Sequence, residues 1–458
     1  MKSYDLKSTQ ENLMKSFTED TIGRNRDVMR FATILNAVEG SYTIALDGKW
    51  GSGKTFFVKQ TKMVLDANNE NIKVMNQEDR VQIMKICSNF FGNNSFELQP
   101  QVSVYYDAWE NDNDDDPILS LIYTILKNMD TDFSFQEFSF LKAAASIMEV
   151  FSGRNWTRLI DSFKSKNPMD SLKQSKDIDQ LVNEFLETLL VERGNRLVIF
   201  IDELDRCKPS YAVRLLERIK HYFSNDRITF VLSVNSDELQ HTIRKYYGDD
   251  FDGFKYLDRF FDLKVTLPSA NIQNFYQTLN FDDGYNAFDV VCGAFIKVYH
   301  LELREIAKYI CLTKIAAYEP THSDTYEFGF SEGKAIEFCL IYVVPIMIGL
   351  NVSNIKKYRD FIEGRDYSPL FEVSNAMRVQ FFKKLLNRDE TYDEKNASLT
   401  VVTVEEKLKE VYNALFVTNY GVEKYYVDIG EMRFQGTTKE VLLRTSGLMS
   451  KYTNFDIV

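Results

Sequence analysis

The chain has 458 residues, 44% of them hydrophobic, and includes 35 Phe and 25 Tyr, so it is long enough to bury large cores. Its formal net charge of −12 disfavours a general nucleic-acid surface, which would be basic, although a local basic patch or a basic partner stays open. The 5 cysteines form no CxxC pair, which favours reduced thiols in a cytoplasmic protein over disulfide bonds or a zinc site.

The first predicted elements are a loop over residues 20–24, a helix over residues 25–38 and a short β-strand over residues 42–46. The strand leads into Gly-Lys-Trp-Gly-Ser-Gly-Lys-Thr over residues 48–55, a full match to the phosphate-binding pattern Gly-x-x-x-x-Gly-Lys-[Ser/Thr]. An apolar helix start follows, so the motif has the strand–loop–helix setting that it requires. A chance glycine-rich turn is the alternative.

Each residue type in this loop has a physical role to play at a phosphate group. The glycines let the backbone turn tightly and bring its N–H groups close to phosphate oxygens, and the following helix points its positive end at the same place. We expect Lys54 to reach the β- and γ-phosphates and the Thr55 hydroxyl to bind Mg²⁺. The residues predicted to hold the nucleotide are Gly48, Trp50, Gly51, Ser52, Gly53, Lys54, Thr55 and Phe56.

The loop at residues 20–24 is a candidate for contact with the nucleotide base. In proteins with a phosphate-binding loop, the segment that leads into the first strand often packs near the base. We therefore predict that Ile22, Gly23 and Arg24 contribute to base binding. The alternative is that this segment and its helix only cover the surface.

A second strand is predicted over residues 102–106, after a polar stretch from residue 67 to residue 100 for which no element is assigned. The acidic residues 111–116 follow, and a helix begins near Pro117. The acidic run lacks the glycine and the closing glutamate of an EF-hand, which favours a solvated loop over a calcium site. Residues 131–195 look like a helical insertion between core strands, with an amphipathic helix at residues 177–192 on the sheet.

The second chemical motif follows a continuous apolar run over residues 197–201, which predicts a buried parallel strand. The strand delivers Asp202 and Glu203 at its carboxyl end, which is the Walker B arrangement. Asp202 is expected to hold Mg²⁺, directly or through water, and Glu203 to orient and deprotonate the attacking water. A buried strand that ends in a charged turn is the alternative.

A third apolar strand, predicted over residues 228–234 after a helix at residues 210–223, ends at Asn235. A polar residue at this place lies beside the γ-phosphate in many P-loop ATPases, so Asn235 is predicted to polarise the attacking water. The alternative is that Asn235 is only a turn residue at the end of the strand.

Arg259 lies between a predicted helix at residues 237–247 and the last predicted core strand at residues 264–268. It is a candidate for contact with a γ-phosphate, either within its own chain or from a neighbouring subunit. The alternative is a salt bridge to Asp258 or Asp262.

After residue 270 the chain changes character, and we place a domain boundary there. Helices are predicted within residues 275–309, at 334–350, at 405–415 and at 438–450, with a strand at 425–434. The longest apolar run, residues 338–350, is shorter than the roughly 20 residues that a membrane-spanning helix needs. Because residues 1–10 are also polar and show no signal peptide, we expect a cytoplasmic protein without a membrane role.

Taken together, several motifs resemble those of the KAP family of P-loop NTPases. The similarity covers roughly residues 17–310, and the combination is specific although each later motif alone is weak. The matching segments are Asp-Thr-Ile-Gly-Arg at 20–24, the phosphate loop with its tryptophan, Tyr-Asp-Ala-Trp-Glu at 106–110, Asp-Glu-Leu-Asp-Arg-Cys at 202–207, Tyr-Leu-Asp-Arg-Phe at 256–260 and Leu-Arg-Glu-Ile at 303–306.

The resemblance implies an α/β P-loop domain with a mostly parallel sheet flanked by helices over residues 1–270, and a mainly α-helical domain over residues 271–458. It also implies ATP hydrolysis on a fold related to AAA+ and STAND ATPases, and bacterial relatives are associated with mobile-element functions that include exclusion of phage. Two departures stand out. Many members carry transmembrane helices where this chain has its polar insertion, and many have Asp in place of Glu203.

The leading functional hypothesis is a cytoplasmic, Mg²⁺-dependent ATPase that acts as the switch of a bacterial defence module with a separately encoded effector. One alternative is an oligomeric AAA-type motor that remodels nucleic acid or protein complexes. Another is a nucleotide-binding scaffold with little turnover. We find no convincing Asn-Lys-x-Asp motif for reading guanine, which favours ATP over GTP.

Overall fold

The structure is a computed structural model that describes residues 7–72, 75–91, 98–114, 116–128, 190, 193–222, 225–284, 286–322, 335–378, 381–382, 397–421 and 424–456. Apart from Leu190, the helix predicted at residues 177–192 lies outside these ranges, as does most of the predicted insertion. The chain divides into two compact units, the first spanning Lys7–Asn271 and the second beginning at Ile272.

The first unit is built around a parallel sheet whose strands lie in the order β2-β3-β4-β1-β5. The strand β1 pairs with β4 and β5 and not with β2, so the chain passes from β1 to the far edge of the sheet and then returns towards it through β3 and β4. The place beside β1 where the order of the strands reverses is a topological switch point, at the edge formed by the carboxyl ends of the strands. In such sheets, ligands bind at this place. The strands are β1 Tyr42–Asp47, β2 Gln101–Asp107, β3 Arg196–Asp202, β4 Ile228–Val234 and β5 Leu263–Thr266.

The central strands are buried because both faces of the sheet are covered. Every residue of β4 is buried, and so is every residue of β3 after Arg196. This burial explains why both strands are continuous apolar runs rather than alternating ones. The predicted α/β class with a parallel sheet and a helical region after it is therefore confirmed.

Helices pack on both faces of the sheet and form two hydrophobic clusters with it. The helix α4 lies in a stretch for which no element was predicted, because only a narrow apolar face that includes Ile83 and Cys87 is buried. The helices of this unit are α1 Gln10–Glu19, α2 Asn25–Ala37, α3 Lys54–Asn68, α4 Gln77–Phe91, α5 Pro117–Asn128, α6 Pro209–Tyr222, α7 Ser236–Tyr247 and α8 Gly253–Asp258.

The second unit is mainly helical in its described residues. The strand predicted at residues 425–434 is wrong as a single element, because Gly430 takes a left-handed φ of 55° and the segment forms a hairpin of β6 Tyr426–Ile429 and β7 Met432–Gln435. The helices are α9 Ile272–Thr278, α10 Ala287–Tyr299, α11 Leu303–Ala316, α12 Tyr318–Thr321, α13 Ala335–Phe338, α14 Val344–Ser353, α15 Ile355–Ile362, α16 Ser368–Ser374, α17 Ala397–Tyr412 and α18 Gly436–Ser446.

Among the described residues, one helical segment is long and apolar enough to cross a membrane by length and composition alone. It is Ala335–Ser353, with 19 residues and a mean hydropathy of 2.0. The segment joins α13, a π-helical turn at Cys339–Val343 and α14. It is longer than the predicted apolar run because the π-helical turn directly before α14 accommodates Pro345 within the continuous helix, and Gly349 continues α14 against the ring of Phe295. Since 72% of its apolar window is buried inside the protein, it has the burial of a core helix and is weak evidence for a membrane span.

Candidate functional site

The loop between β1 and α3 has the backbone of a phosphate cradle. Gly51 and Gly53 take φ values of 81° and 93°, which L-residues with a Cβ rarely adopt. The N–H of Gly48 donates to the carbonyl oxygen of Val234 at 3.1 Å, so the start of the loop is tied to the end of β4. No side chain among the described residues caps the first turn of α3, which leaves its N–H groups available to an anion.

Lys54 is the first residue of α3, and its side chain folds back over the loop. Its Nζ donates to the carbonyl oxygens of Gly48 at 2.6 Å and Lys49 at 3.0 Å. Burial lowers the pKa of Lys54, and nearby carboxylates, that of Asp205 foremost, oppose this effect. The ammonium group is therefore held at the loop by neutral acceptors, and phosphate oxygens can replace these acceptors when a nucleotide binds.

The side chains of residues 55 and 202 meet at the carboxyl edge of the sheet. The Thr55 hydroxyl donates to Asp202 Oδ2 at 2.7 Å, and the Tyr105 hydroxyl donates to the same oxygen at 3.1 Å. Asp202 is only 1% exposed at the end of β3. The structure therefore brings together the two residues predicted to hold the metal, although they are 147 positions apart in the sequence.

The chemistry of these donors fits Mg²⁺ in the presence of a nucleotide. Within the described ranges, no group of three or more His, Cys, Asp and Glu side chains lies close enough to hold a metal ion unaided. Mg²⁺ in proteins usually keeps several waters and takes one or two protein oxygens together with substrate phosphates. One hydroxyl and one carboxylate, as provided by Thr55 and Asp202, match this requirement.

Glu203 directly follows Asp202, the predicted metal ligand, and has an unusual backbone. Its φ of 62° and ψ of 22° lie in the left-handed region, which costs a non-glycine residue about 1–3 kcal/mol. Its carboxylate forms an ion pair with Arg206 Nε at 2.5 Å. Burial and the charge of Asp202 raise the pKa of Glu203 to about 7, although Arg206 acts in the opposite direction. A carboxylate with this pKa is suited to accept a proton from water near neutral pH.

The segment predicted to contact the base makes structural contacts that sequence reasoning missed. Arg24 is 5% exposed, and its Nη1 donates to the carbonyl oxygen of Ser52 at 2.7 Å. This guanidinium therefore supports the phosphate loop. Gly23 takes a φ of 67° against Asn271, whose N–H donates to the carbonyl oxygen of Ile22 at 2.8 Å. Base binding by this segment stays a prediction.

The remaining loop residues have contacts within the protein. Ser52 Oγ donates to the carbonyl oxygen of Lys49 at 2.7 Å, and Phe56 is partly buried against the hydrophobic cluster on the α3 face of the sheet. The ring of Trp50 is 44% exposed, but its Nε1 donates to Asp205 Oδ2. Trp50 was predicted to hold the nucleotide because of its place in the loop, whereas its hydrogen bond to Asp205 was not predicted.

Asn235 lies at the end of β4, next to the start of the phosphate loop. Its side-chain oxygen caps α7 by accepting from the N–H groups of Asp237 at 3.2 Å and Glu238 at 3.4 Å. This cap is the turn role that was considered as the alternative. It occupies the amide oxygen and leaves the amide NH₂ as the group that could reach a ligand, so the proposed contact with the attacking water stays a prediction.

Arg259 is exposed at the end of α8. The two carboxylates considered as its partners are engaged elsewhere, since Asp258 pairs with Lys264 at 2.8 Å and Asp262 accepts the N–H of Thr43 at 2.8 Å. Among the described residues, the guanidinium of Arg259 takes part in no ion pair. The side chain of Arg259 is therefore an exposed cation, and the alternative of a salt bridge to Asp258 or Asp262 is not found among the described residues.

Three similarities to known proteins accompany this geometry. The model of the KAP family P-loop domain matches residues 25–285, which is more than half of the chain. The uncharacterized protein MJ0182 of Methanocaldococcus jannaschii is 33% identical over 106 residues, which is 23% of this chain and 53% of that protein, so the chain spans about half the length of this relative. The structure of C. elegans PCH-2 aligns with 87% of this chain and 70% of its own, at 11% identity and a TM-score of 0.20, too low to support an argument.

Proposed function

The chain belongs to the KAP family of P-loop NTPase domains, and from this premise we propose that it is a Mg²⁺-dependent ATPase that works as a switch. The observation that carries the proposal is the 2.7 Å contact between Thr55 Oγ1 and Asp202 Oδ2, with Lys54 at the first residue of the same helix. Two separate stretches of the chain thereby bring together the cation that we propose to bind phosphate and the two oxygens that we propose to bind the metal.

In the proposed mechanism, the N–H groups of the loop and of the first turn of α3 bind the phosphates, and Lys54 moves from its carbonyl acceptors to the phosphate oxygens. Thr55 and Asp202 would hold Mg²⁺, which would supply positive charge to neutralise the phosphate oxygens. Glu203 accepts the proton of the attacking water, and the amide of Asn235 orients that water.

The switch is proposed to act on a separately encoded effector in a bacterial defence module. The support for this step is the family membership, because the resemblance to this family implies mobile-element functions that include exclusion of phage. Hydrolysis without an output is rarely useful to a cell, and the helical second unit carries no catalytic motif of its own, so it is the natural candidate for the contact with the effector.

The defence role predicts a nucleotide-dependent phenotype. We expect bacteria that carry this gene together with its genomic neighbours to be infected less efficiently by a sensitive phage, as measured by plating. Lys54→Ala should restore plating to the level of bacteria without the gene, because the switch cannot then bind its nucleotide. Protection that persists fully in Lys54→Ala would separate any defence activity from the P-loop.

A second candidate function is an oligomeric motor, and the surface position of Arg259 favours it. This guanidinium forms no ion pair with any residue that the structure describes, and it lies just before the last strand of the sheet. Such a group can serve the active site of a neighbouring copy as an arginine finger. We expect Arg259→Ala to bind MgATP with unchanged affinity but to lose about 10³-fold or more in kcat if this role holds. The steady-state rate and the nucleotide Kd measure the two effects separately.

Mixing experiments decide whether Arg259 acts between subunits. Arg259→Ala retains an intact site and Lys54→Ala retains the arginine, so a mixture of these two inactive proteins should recover part of the activity. Lys255→Ala removes an exposed cation from the same short helix and is the matched control. An unchanged kcat in Arg259→Ala, or a single size in gel filtration with and without ATP, would contradict the motor. Stimulation by DNA would specify nucleic acid as its substrate.

A further inference from the structure

A hydrogen bond that has no role in the proposed mechanism joins the phosphate loop to the segment that follows β3. Trp50 Nε1 donates to Asp205 Oδ2 across 155 positions of sequence. Trp50 lies between the first two glycines of the loop, and Asp205 lies in the 3₁₀ turn Leu204–Arg206, directly after Asp202 and Glu203. The bond therefore spans from the phosphate-binding half of the site to the half that is proposed to activate water.

The two ends of this bond differ greatly in exposure. The Trp50 ring is 44% exposed, whereas Asp205 is only 6% exposed. Burial raises the pKa of Asp205, while the hydrogen bond from Trp50 and the charge of Lys54 lower it. Burying a carboxylate costs free energy unless it accepts hydrogen bonds, so loss of the hydrogen bond from the indole N–H would be unfavourable.

The position of the tryptophan is informative because the surrounding loop is rich in glycine. Glycines allow the cradle shape but leave the backbone free to adopt many others before a nucleotide arrives. A loop that spends only a fraction of its time in the binding shape has an apparent affinity reduced by that fraction. A bond from its tip to a buried, fixed acceptor would reduce this loss by ordering the loop in advance.

We propose that Trp50 and Asp205 are a positioning pair that holds the phosphate loop in its nucleotide-binding shape and fixes its distance from the Asp202–Glu203 segment. The inference rests on the proposed function, since it assigns a role in binding the same nucleotide. Neither residue is proposed to touch the reacting atoms. Their effect is expected on nucleotide affinity first and on turnover second.

A double-mutant cycle in the full chain tests the pair, with the Kd for MgATP as its readout. Trp50→Phe keeps an aromatic ring but loses the N–H donor, and Asp205→Ala removes the acceptor. Each is expected to weaken MgATP binding about tenfold, because a hydrogen bond to a charged group is worth roughly this factor or more. The double variant should bind no more weakly than the weaker single variant, since both changes remove the same bond.

Asp205→Asn distinguishes the bond from the charge. The amide oxygen of Asn can still accept from the indole N–H, so this variant should bind MgATP within about threefold of the unmodified protein or more tightly. Trp50→Phe is not expected to unfold the protein, because the side chain is 44% exposed and the replacement keeps an aromatic ring. The thermal unfolding midpoint of each variant checks this point.

Several outcomes would overturn the pairing. One is an unchanged affinity in Trp50→Phe, another is multiplicative losses in the double variant, and a third is an Asp205→Asn variant as weak as Asp205→Ala. Lys54→Ala serves as the reference for the nucleotide site itself. If Lys54→Ala abolishes MgATP binding while the variants of Trp50 and Asp205 bind MgATP as tightly as the unmodified protein, only this inference fails. If the unmodified protein does not bind MgATP, the proposed function is refuted.

Discussion

Lys54→Ala is expected to abolish tight MgATP binding, with a loss of affinity of about 10²–10⁴-fold. In the structure, its Nζ makes two hydrogen bonds to loop carbonyl oxygens, of Gly48 and Lys49, and we expect it to exchange them for phosphate oxygens. Two hydrogen bonds to charged groups contribute about 3–6 kcal/mol, which corresponds to the stated range. Titration of the purified protein with a fluorescent ATP analogue in the presence of Mg²⁺ measures this loss.

The matched control for Lys54→Ala is Lys62→Ala. Lys62 is a cation on the same helix, two turns further along, where it pairs with Asp66 at 2.6 Å. We expect its replacement to leave the Kd for MgATP within about twofold, because it is not part of the proposed phosphate site. The thermal unfolding midpoint is measured alongside, because the change leaves the buried carboxylate of Asp66 without this partner. Equal losses in both variants would mean that the positive charge of the helix, rather than the position of Lys54, is responsible for binding.

Glu203→Gln is expected to leave MgATP binding intact and to reduce kcat by about 10²–10⁴-fold, the usual contribution of a general base. The amide has nearly the same shape as the carboxylate, so the left-handed backbone at this position and the contact with Arg206 can be kept. What is lost is the ability to accept a proton, since an amide is a far weaker base. Release of inorganic phosphate and nucleotide Kd, measured on the same preparation, separate the two effects.

Glu217→Gln provides the control for a neutralised glutamate outside the site. The carboxylate of Glu217 accepts hydrogen bonds from the hydroxyls of Tyr247 at 2.9 Å and Tyr256 at 3.3 Å. We expect the kcat of the Glu217→Gln variant to be unchanged. Full turnover in Glu203→Gln would remove that residue from the mechanism. If the unmodified protein binds MgATP but shows no turnover above Glu203→Gln, the chain is a nucleotide-binding scaffold instead of an ATPase.

The features that could be predicted from sequence are those that local patterns determine. The strand Ile228–Val234 has the predicted bounds because a buried parallel strand needs an unbroken apolar run, and Asn235 interrupts that run at the cap of the next helix. The consensus over residues 48–55 likewise prescribes a glycine-rich turn before a helix, and the structure begins α3 at Lys54.

The features that could not be predicted depend on contacts between distant residues or on tertiary burial. Arg24 contacts Ser52 across 28 positions, and Trp50 contacts Asp205 across 155, so no local pattern records either bond. The helix Gln77–Phe91 was missed because its composition is polar and only the packing of a narrow face decides its state. The left-handed backbone conformation of Glu203 could not be predicted from the sequence either, since the surrounding fold imposes it.

The central claim is that MgATP binds where the segments around residues 54 and 202 converge. The most direct test is an experimental structure of the chain with Mg²⁺ and a non-hydrolysable ATP analogue. We expect a γ-phosphate oxygen within about 3 Å of Lys54 Nζ, with the metal ion beside Thr55 and Asp202. An analogue bound on another surface, or a metal ion that is not beside these two side chains, would contradict it.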